Sequence, residues 1–430
     1  MRKIKEYQCN LSEDFIKRLL LWADQFDEVV WLDSNNYGQT HASYRAILAV
    51  DAFTAIKTDY HNAFEQLNEY QQLTGDWLFG YLTYDLKNNV EHLSSQNFDG
   101  LDFPDLYFFQ PKKLFLFTEN HVSIQYLSMV DDELEADWKE IASKRPQRES
   151  SANDPIEIKM RTSKDAYFEK VGEVLDHINR GDIYEANFCQ EFYAENATIN
   201  PINTFIGLNE ISKPPFATYL KFDFLHALSA SPERYLKKTA NVLRSQPIKG
   251  TAKRLSDLDK DEKIKVQLAN DQKELSENIM ITDLVRNDLS RVAEKGSVHV
   301  DELCKIYTFE QVHHMISTVS CTVSSEISPA KILMHTFPMG SMTGAPKVSA
   351  MKIIEELEDA KRGLYSGAVG YFTPDGDFDF NVIIRSILYN AKESYVSYSV
   401  GGAITAKSVP EKEYEECLLK AKAMRTVLER

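Results

Sequence analysis

The sequence predicts an α+β protein, and three observations lead there. Apolar runs with strand character gather in groups separated by short polar turns, amphipathic helical patterns fall between those groups, and neither a regular strand–helix–strand alternation nor an internal repeat runs through the chain. With 430 residues, 43% of them apolar and 11% aromatic, the chain can build a large buried core as one big domain or two fused halves.

Taken in order, residues 1–150 carry strand-like runs at Ala46 to Val50, Trp77 to Thr83, Leu114 to Phe117 and Val122 to Leu127, with a helical pattern around His61 to Leu73. No catalytic motif falls in this portion. From Asp131 to Pro155 the composition turns charged and small, including Lys-Arg-Pro-Gln-Arg-Glu-Ser-Ser, which reads as an exposed connection and sets the boundary to a second region, residues 151–430. There Thr162-Ser-Lys-Asp165 resembles a capping box, and Tyr167, Val171, Val174 and Ile178 follow at helical spacing before Gly181. A further helical stretch spans roughly Asp259 to Arg291, with Leu268, Leu275, Ile279 and Leu289 among its apolar positions. Pro374-Asp-Gly-Asp377 between two apolar runs signals a hairpin, and Ser394 to Val400 reads as a strand. The final helix sets an apolar stripe, Tyr414, Cys417, Leu418, Ala421 and Leu428, beside Glu413, Glu416 and Lys420.

A net charge of −16 argues against a nucleic-acid or acidic-membrane surface, since such partners require clustered Lys and Arg. Cys9, Cys189, Cys304, Cys321 and Cys417 are scattered and odd in number, so neither a disulfide framework nor a thiolate metal site is expected. The N-terminal residues lack the apolar segment of a signal peptide and no run is long enough to cross a bilayer, so the expected setting is the cytoplasm.

Several segments carry chemistry. Glu413, Glu416 and Lys420 fall within about a 60° arc of one helix, and Glu274, Glu277 and Asn278 stand on an earlier one. Carboxylates from two helices suit a hard octahedral cation such as Mg²⁺, although each group alone also fits a solvated helix face. Met342-Thr-Gly-Ala-Pro-Lys347 leads into a helical pattern and is expected to leave the backbone N–H groups of Gly344 and Ala345 free for an anion. Gly401-Gly402-Ala403 follows a strand and either admits a carboxylate to the backbone or merely turns the chain.

Arg385, inside Val382-Ile-Ile-Arg-Ser-Ile-Leu, is either a structural ion-pair member or a planar carboxylate clamp, and His314 in Val312-His-His-Met is either structural or functional. Lys249 in Pro247-Ile-Lys-Gly-Thr251 becomes a nucleophile if a closed pocket desolvates it and lowers its pKa; otherwise it is an exposed turn residue. Glu233 in Ser231-Pro-Glu233 becomes a general acid of raised pKa beside a dry pocket; otherwise it sits in a strand-edge turn.

Together these segments, with Glu277-Asn-Ile-Met-Ile-Thr-Asp-Leu-Val-Arg-Asn-Asp288 and Glu413-Tyr-Glu-Glu416, resemble the chorismate-utilising enzymes, a family that includes anthranilate, isochorismate, salicylate and aminodeoxychorismate synthases. The resemblance runs in unbroken motif order from about Thr162 to the end and only loosely before it. It implies an anthranilate synthase component I-like fold, with two pseudo-equivalent halves, orthogonally packed antiparallel sheets and outer helices, the N-terminal portion adding strands to a shared core.

Within that resemblance Lys249 is similar to the lysine that the aminodeoxychorismate synthase branch carries in this loop, whereas anthranilate and isochorismate synthases typically carry alanine there. What this implies is an amino-group transferase: Lys249 adds to chorismate, Glu233 protonates the departing hydroxyl, and ammonia then displaces the lysine to give the precursor of 4-aminobenzoate and folate. It further implies that Glu277 and Glu416 ligate Mg²⁺ with Glu413 assisting, and that His314, Thr343 and Gly344 line the ring beside Gly250 and Thr251. Arg385, Lys420, Gly401 and Gly402 would hold substrate carboxylates. Ammonia would come from a separate glutamine amidotransferase subunit, since no nucleophilic cysteine motif for glutamine hydrolysis is recognisable.

Two departures from the pattern stand out. Glu185 replaces the glutamine usual in aminating members and the base lysine of isochorismate synthases, and Ala403 replaces a frequent third glycine. Near Leu32-Asp-Ser-Asn the fuller signature of tryptophan feedback sites is missing. The enzymatic rival is an anthranilate synthase component I; the rival of another class is a non-catalytic binding or regulatory subunit of the same fold.

Overall fold

A computed structural model describes residues 1–37, 43–143 and 156–429. Among them, twenty strands join through antiparallel ladders into one hydrogen-bonded network, with eleven α-helices packed around it, an α+β architecture as the sequence predicts. Strands of the first portion pair directly with strands of the second. Glu28–Asp33 lies between Ala46–Thr58 and Phe216–Phe222, and Leu78–Leu82 pairs with Ala368–Phe372. Three apolar clusters fill the interior, with Trp22, Trp31, Tyr81, Tyr126 and Tyr219 among the fully buried side chains.

The local expectations hold at most elements. The helix Ala63–Thr74 and the strands Ala46–Thr58, Leu78–Leu82, Leu106–Phe117 and His121–Leu127 fall on the predicted segments, most of them extended. Ser163, one residue later than the expected cap, accepts from the Ala166 N–H to start Lys164–Arg180, and Gly181 ends that helix at φ 88°. Ala368–Phe372 and Phe378–Val382 form the hairpin around Pro374 to Asp377.

Four expectations need correction. Part of the supposed connection after Asp131 is a helix, Leu134–Ser143, because Leu134 and Ile141 find the core; residues 144–155, which hold the boundary near 150, lie outside the described residues. The stretch from Asp259 to Arg291 is two helices, Leu258–Ala269 and Gln272–Ser290, since the Asp271 side chain accepts from the N–H groups of Lys273 and Glu274 and starts a second helix. Ile279 on that second helix and Leu418 on the C-terminal helix are exposed, while Asn278 and Met424 take the inward positions. Arg385 is not within a strand but between Phe378–Val382 and Ser386–Asn390, at φ 54°.

Candidate active site

Lys249 is aimed by a fault in its strand. Ile248–Lys253 pairs with Val312–Thr322, and the register slips between Ile248 and Thr251, with Gly250 at φ 90°, a conformation that glycine adopts without strain. The bulge turns Lys249 inward, where its ammonium donates to Glu185 Oε1 at 3.1 Å. Its side chain is 12% exposed and that of Glu185 only 2%. Burial alone lowers the pKa of Lys249, but the charges of Glu185, Glu277 and Glu233 more than offset it, and the balance lies above the ordinary 10.5. The expected lowering therefore does not occur in this state. Here Lys249 is an ammonium, and it must lose a proton before it can attack.

Glu233 follows the strand Leu225–Ser231, with its backbone tied by the Ser231 hydroxyl and the Val382 N–H. It is buried, and burial raises its carboxyl pKa to about 7 against the smaller opposing pulls of a Ser341 hydrogen bond and the Lys249 charge. A carboxylic acid poised near neutrality can deliver a proton, the property expected of a general acid. A small cavity behind it is lined by Glu233, Ser245, Pro247, Val285, Thr336 and Ser341.

Thr251 faces His314 across the ladder, and the Thr251 hydroxyl lies 2.9 Å from His314 Nδ1. Burial first, then the Arg385 charge, lowers the His314 pKa to about 3, so the ring is neutral at any physiological pH. His314 thus serves as a fixed dipole in the wall. Arg385 has no carboxylate within ion-pairing distance among the described residues, and burial holds its pKa below the ordinary value. That favours the anion clamp over the structural ion pair.

The acidic side chains of the two helices meet as anticipated, but around a lysine. Lys273 Nζ lies 3.7 Å from both Glu277 Oε1 and Glu413 Oε1, while Glu416 pairs with Lys420 at 2.7 Å. Burial raises the Glu277 pKa to about 7 despite Lys249 and Lys273, and its Oε1 is buried without a hydrogen-bond partner. Lys420 also donates to the Gly401 carbonyl at 2.7 Å. Gly402 is constrained by this cluster, because a Cβ there would stand 3.3 Å from Glu413 Oε2 and 3.9 Å from Lys420 Nζ. Gly401 faces the neighbouring strand instead, where a Cβ would stand 2.4 Å from Cys189 Sγ.

Among the described residues no three acidic, histidine or cysteine side chains are already grouped to hold an ion. The donor chemistry nevertheless fits a hard cation: carboxylates from two helices, one with a buried oxygen that accepts no hydrogen bond, and a cationic ammonium already between them.

The Gly344 segment departs from its reading. Gly344–Ala345 pairs with Ala186 and Glu185 as a two-residue strand, so it supports the strand of Glu185 and is not an open anion-binding turn. A Cβ at Gly344 would come 2.1 Å from the Glu185 carbonyl, which explains the glycine. The buried Thr343 hydroxyl donates to the Gly340 carbonyl at 3.1 Å and shapes the wall from within its own turn.

Sequence reading set Asn278 beside the metal-binding carboxylates and did not find the roles of Arg362 and of the Lys347–Asp288 pair, all of which hold this arrangement. Asn278 points inward, away from the carboxylates, donating to the carbonyls of Met315 at 3.1 Å and Lys249 at 3.4 Å and accepting from Ser317. Buried Arg362 pairs with Glu358 and donates to the carbonyls of Met342 at 2.6 Å and Asn187 at 2.7 Å, fixing the Gly344 segment beside the Glu185 strand. Lys347 joins Asp288 at 2.6 Å in a buried pair between two helices. A separate cleft is bordered by Asp33, Ser34, Tyr44, Arg45, Phe216 and Arg234, and burial raises the Asp33 pKa to about 6. No helix among the described residues is long and apolar enough to cross a membrane.

Comparison with known proteins adds a family. The family model described as chorismate binding enzyme matches residues 27–426. An anthranilate synthase component I-like protein of Synechocystis is 34% identical over 370 residues, covering 86% of this chain and 76% of that protein. Aminodeoxychorismate synthase component 1 of Escherichia coli is 34% identical over 351 residues, 82% of this chain and 76% of that protein. The crystal structure of anthranilate synthase component I from Streptococcus pneumoniae superposes with a TM-score of 0.79 at 26% identity, over 88% of this chain and 91% of that one.

Proposed function

We propose, from the premise that this chain belongs to the chorismate-binding enzyme family, that it is an aminodeoxychorismate synthase component I, replacing the ring hydroxyl of chorismate with an amine derived from ammonia. The observation that carries the reading is the position of Lys249, an amine turned inward by a strand bulge, hydrogen-bonded to Glu185 and within charge reach of Glu233. A nucleophilic amine and a protonated carboxyl on one substrate are what a substitution with a hydroxyl leaving group requires. The similarity to a relative with this name agrees with it.

In this reading the Lys249 amine forms a bond to the ring while Glu233 gives its proton to the departing hydroxyl, which leaves as water. Ammonia then bonds to the ring, the bond to Lys249 breaks, and the two displacements return the amine to the position the hydroxyl held. His314, neutral and fixed by Thr251, borders the ring; Arg385, Lys420 and the Gly402 backbone hold carboxylates. Glu277 and Glu416, with Glu413, would hold Mg²⁺, which when bound neutralises a substrate carboxylate as a local cation in an acidic protein. The ammonia source is a glutamine amidotransferase subunit, and chorismate is the only other partner the reading needs.

Names of both anthranilate and aminodeoxychorismate synthases occur among the relatives, so the product decides between the two readings. Incubation with chorismate, Mg²⁺ and ammonium should give a product that becomes 4-aminobenzoate only after a lyase is added; fluorescent anthranilate would overturn the assignment. Intact mass spectrometry without ammonia should show a chorismate-derived adduct on the wild type and none on Lys249→Ala. An adduct of equal yield on the variant would remove Lys249 from the nucleophile role.

A further inference from the structure

We propose that Glu185 is a further catalytic residue, the carboxylate that takes the proton from Lys249 and whose second oxygen docks the incoming ammonia; this rests on the amination reading above. The geometry has three parts. Glu185 Oε1 accepts from the Lys249 ammonium at 3.1 Å, within reach of direct proton transfer. Glu185 Oε2 is buried with no hydrogen-bond partner, an acceptor whose desolvation is uncompensated until a donor arrives. The side chain is held by a strand gripped on both sides, with Glu185 in register with Ala345 on one edge and Thr405 on the other, so the carboxylate cannot swing to solvent.

The need for such a group follows from the site itself. Lys249 is an ammonium in this structure, without the lone pair required for attack. The titratable groups whose charges reach Lys249 are Glu185, Glu274 and Glu277 from the helix Gln272–Ser290, Glu233 from the turn after Leu225–Ser231 and Glu416 from the C-terminal helix Pro410–Leu428, while the flanking strands present Ala345, Ile404 and Thr405, which do not titrate. Of these carboxylates, Glu185 is the one hydrogen-bonded to the amine, and Glu233 holds the proton destined for the hydroxyl.

The protons balance. Glu185 accepts one from the Lys249 ammonium; the freed lone pair makes the ring C–N bond as the C–O bond breaks, and the oxygen leaves as water with the Glu233 proton. Ammonia, one N–H held by Glu185 Oε2, gives its lone pair to the ring while the C–N bond to Lys249 breaks and its electron pair returns to that nitrogen. Lys249 recovers its proton from Glu185, and the new ring ammonium gives one to Glu233. The net change is hydroxyl and ammonia to amine and water.

The test is steady-state kinetics of the full chain with chorismate, Mg²⁺ and free ammonium over roughly pH 6 to 9, a range that brackets the Glu233 pKa of about 7, for wild type, Glu185→Gln and Glu185→Asp. Glu185→Gln keeps the size and an acceptor but cannot take a proton. We expect kcat to fall by about 10²–10⁴-fold, the pH profile to move to higher pH, the KM for ammonium to rise and the KM for chorismate to stay near that of the wild type; Glu185→Asp should recover part of kcat. If Glu185→Gln has unchanged kcat and ammonium KM while the wild type still forms the aminated product, the Glu185 role is overturned alone. A matching loss in both variants with a raised chorismate KM and an unmoved pH profile would also overturn it, in favour of a structural role. A wild type that forms no aminated product overturns the amination reading, and this inference with it.

Discussion

Glu233 should be a residue at which catalysis and stability conflict, and Glu233→Gln measures the conflict. Burial raises the carboxyl from 4.5 to about 7, with the Ser341 hydrogen bond and the Lys249 charge already opposing the rise. The sign follows from the direction. Between those two values the unfolded chain has released the proton and the folded chain still binds it, so the folded state loses stability as pH rises through the interval, and above about 7 the loss is constant. At about 1.4 kcal/mol per pH unit, the ionised carboxyl costs the folded state roughly 3 kcal/mol at pH 8. Glutamine fills the same volume and carries no charge, so the variant should be more stable than wild type by up to about 3 kcal/mol at pH 8 and by less than about 1 kcal/mol at pH 5. Its turnover should fall by about 10²–10⁴-fold, because the amide cannot deliver a proton. Urea midpoints of both proteins at the two pH values, beside product formation from chorismate and ammonium, make the assay. Equal stability differences at both pH values, or a variant less stable at pH 8, would refute the claim that Glu233 is buried in a dry site; undiminished turnover would refute its role as the acid.

Other changes have equally definite outcomes. Lys347→Met leaves the Asp288 carboxylate buried without its ammonium and should destabilise the chain by about 3–5 kcal/mol in urea unfolding, with Lys347→Met/Asp288→Leu recovering much of the loss. Asn278→Ala should cost about 1–3 kcal/mol, since two buried carbonyls lose their donor, and should lower kcat more than it raises the KM for chorismate because the Lys249 strand is no longer held. Gly402→Ala places a methyl 3.3 Å from Glu413 Oε2; calorimetric titration should show weakened Mg²⁺ binding with a unchanged unfolding midpoint. Lys273→Ala removes the ammonium 3.7 Å from both Glu277 and Glu413, so half-maximal activity should require less Mg²⁺ than in the wild type, and chelation by EDTA should abolish turnover in both.

Local patterns were legible because they depend on neighbours in the chain. The helix start within a residue of Thr162, the Gly181 stop, the hairpin at Pro374 to Asp377 and, Leu418 apart, the inward face of the last helix each follow from propensity or periodicity. The motifs also brought Lys249, Glu233, His314 and the carboxylates into view as residue types. Errors arose where tertiary contacts override such patterns: Asn278 is buried and Ile279 exposed because the strand beneath the helix offers carbonyls in need of a donor, not apolar surface.

By itself, then, the sequence determined the α+β class, most of the elements and the set of reactive side chains. Only the tertiary structure decided which of them meet. The bulge at Gly250 that points Lys249 inward, the pairing of Gly344–Ala345 beside Glu185 and the burial that raises Glu233 all join residues far apart in the chain. Ionisation and aim are set by surroundings that a local segment does not contain, so a lysine reads as a candidate nucleophile from its neighbours in sequence but as an ammonium held by Glu185 only once the sheets are assembled.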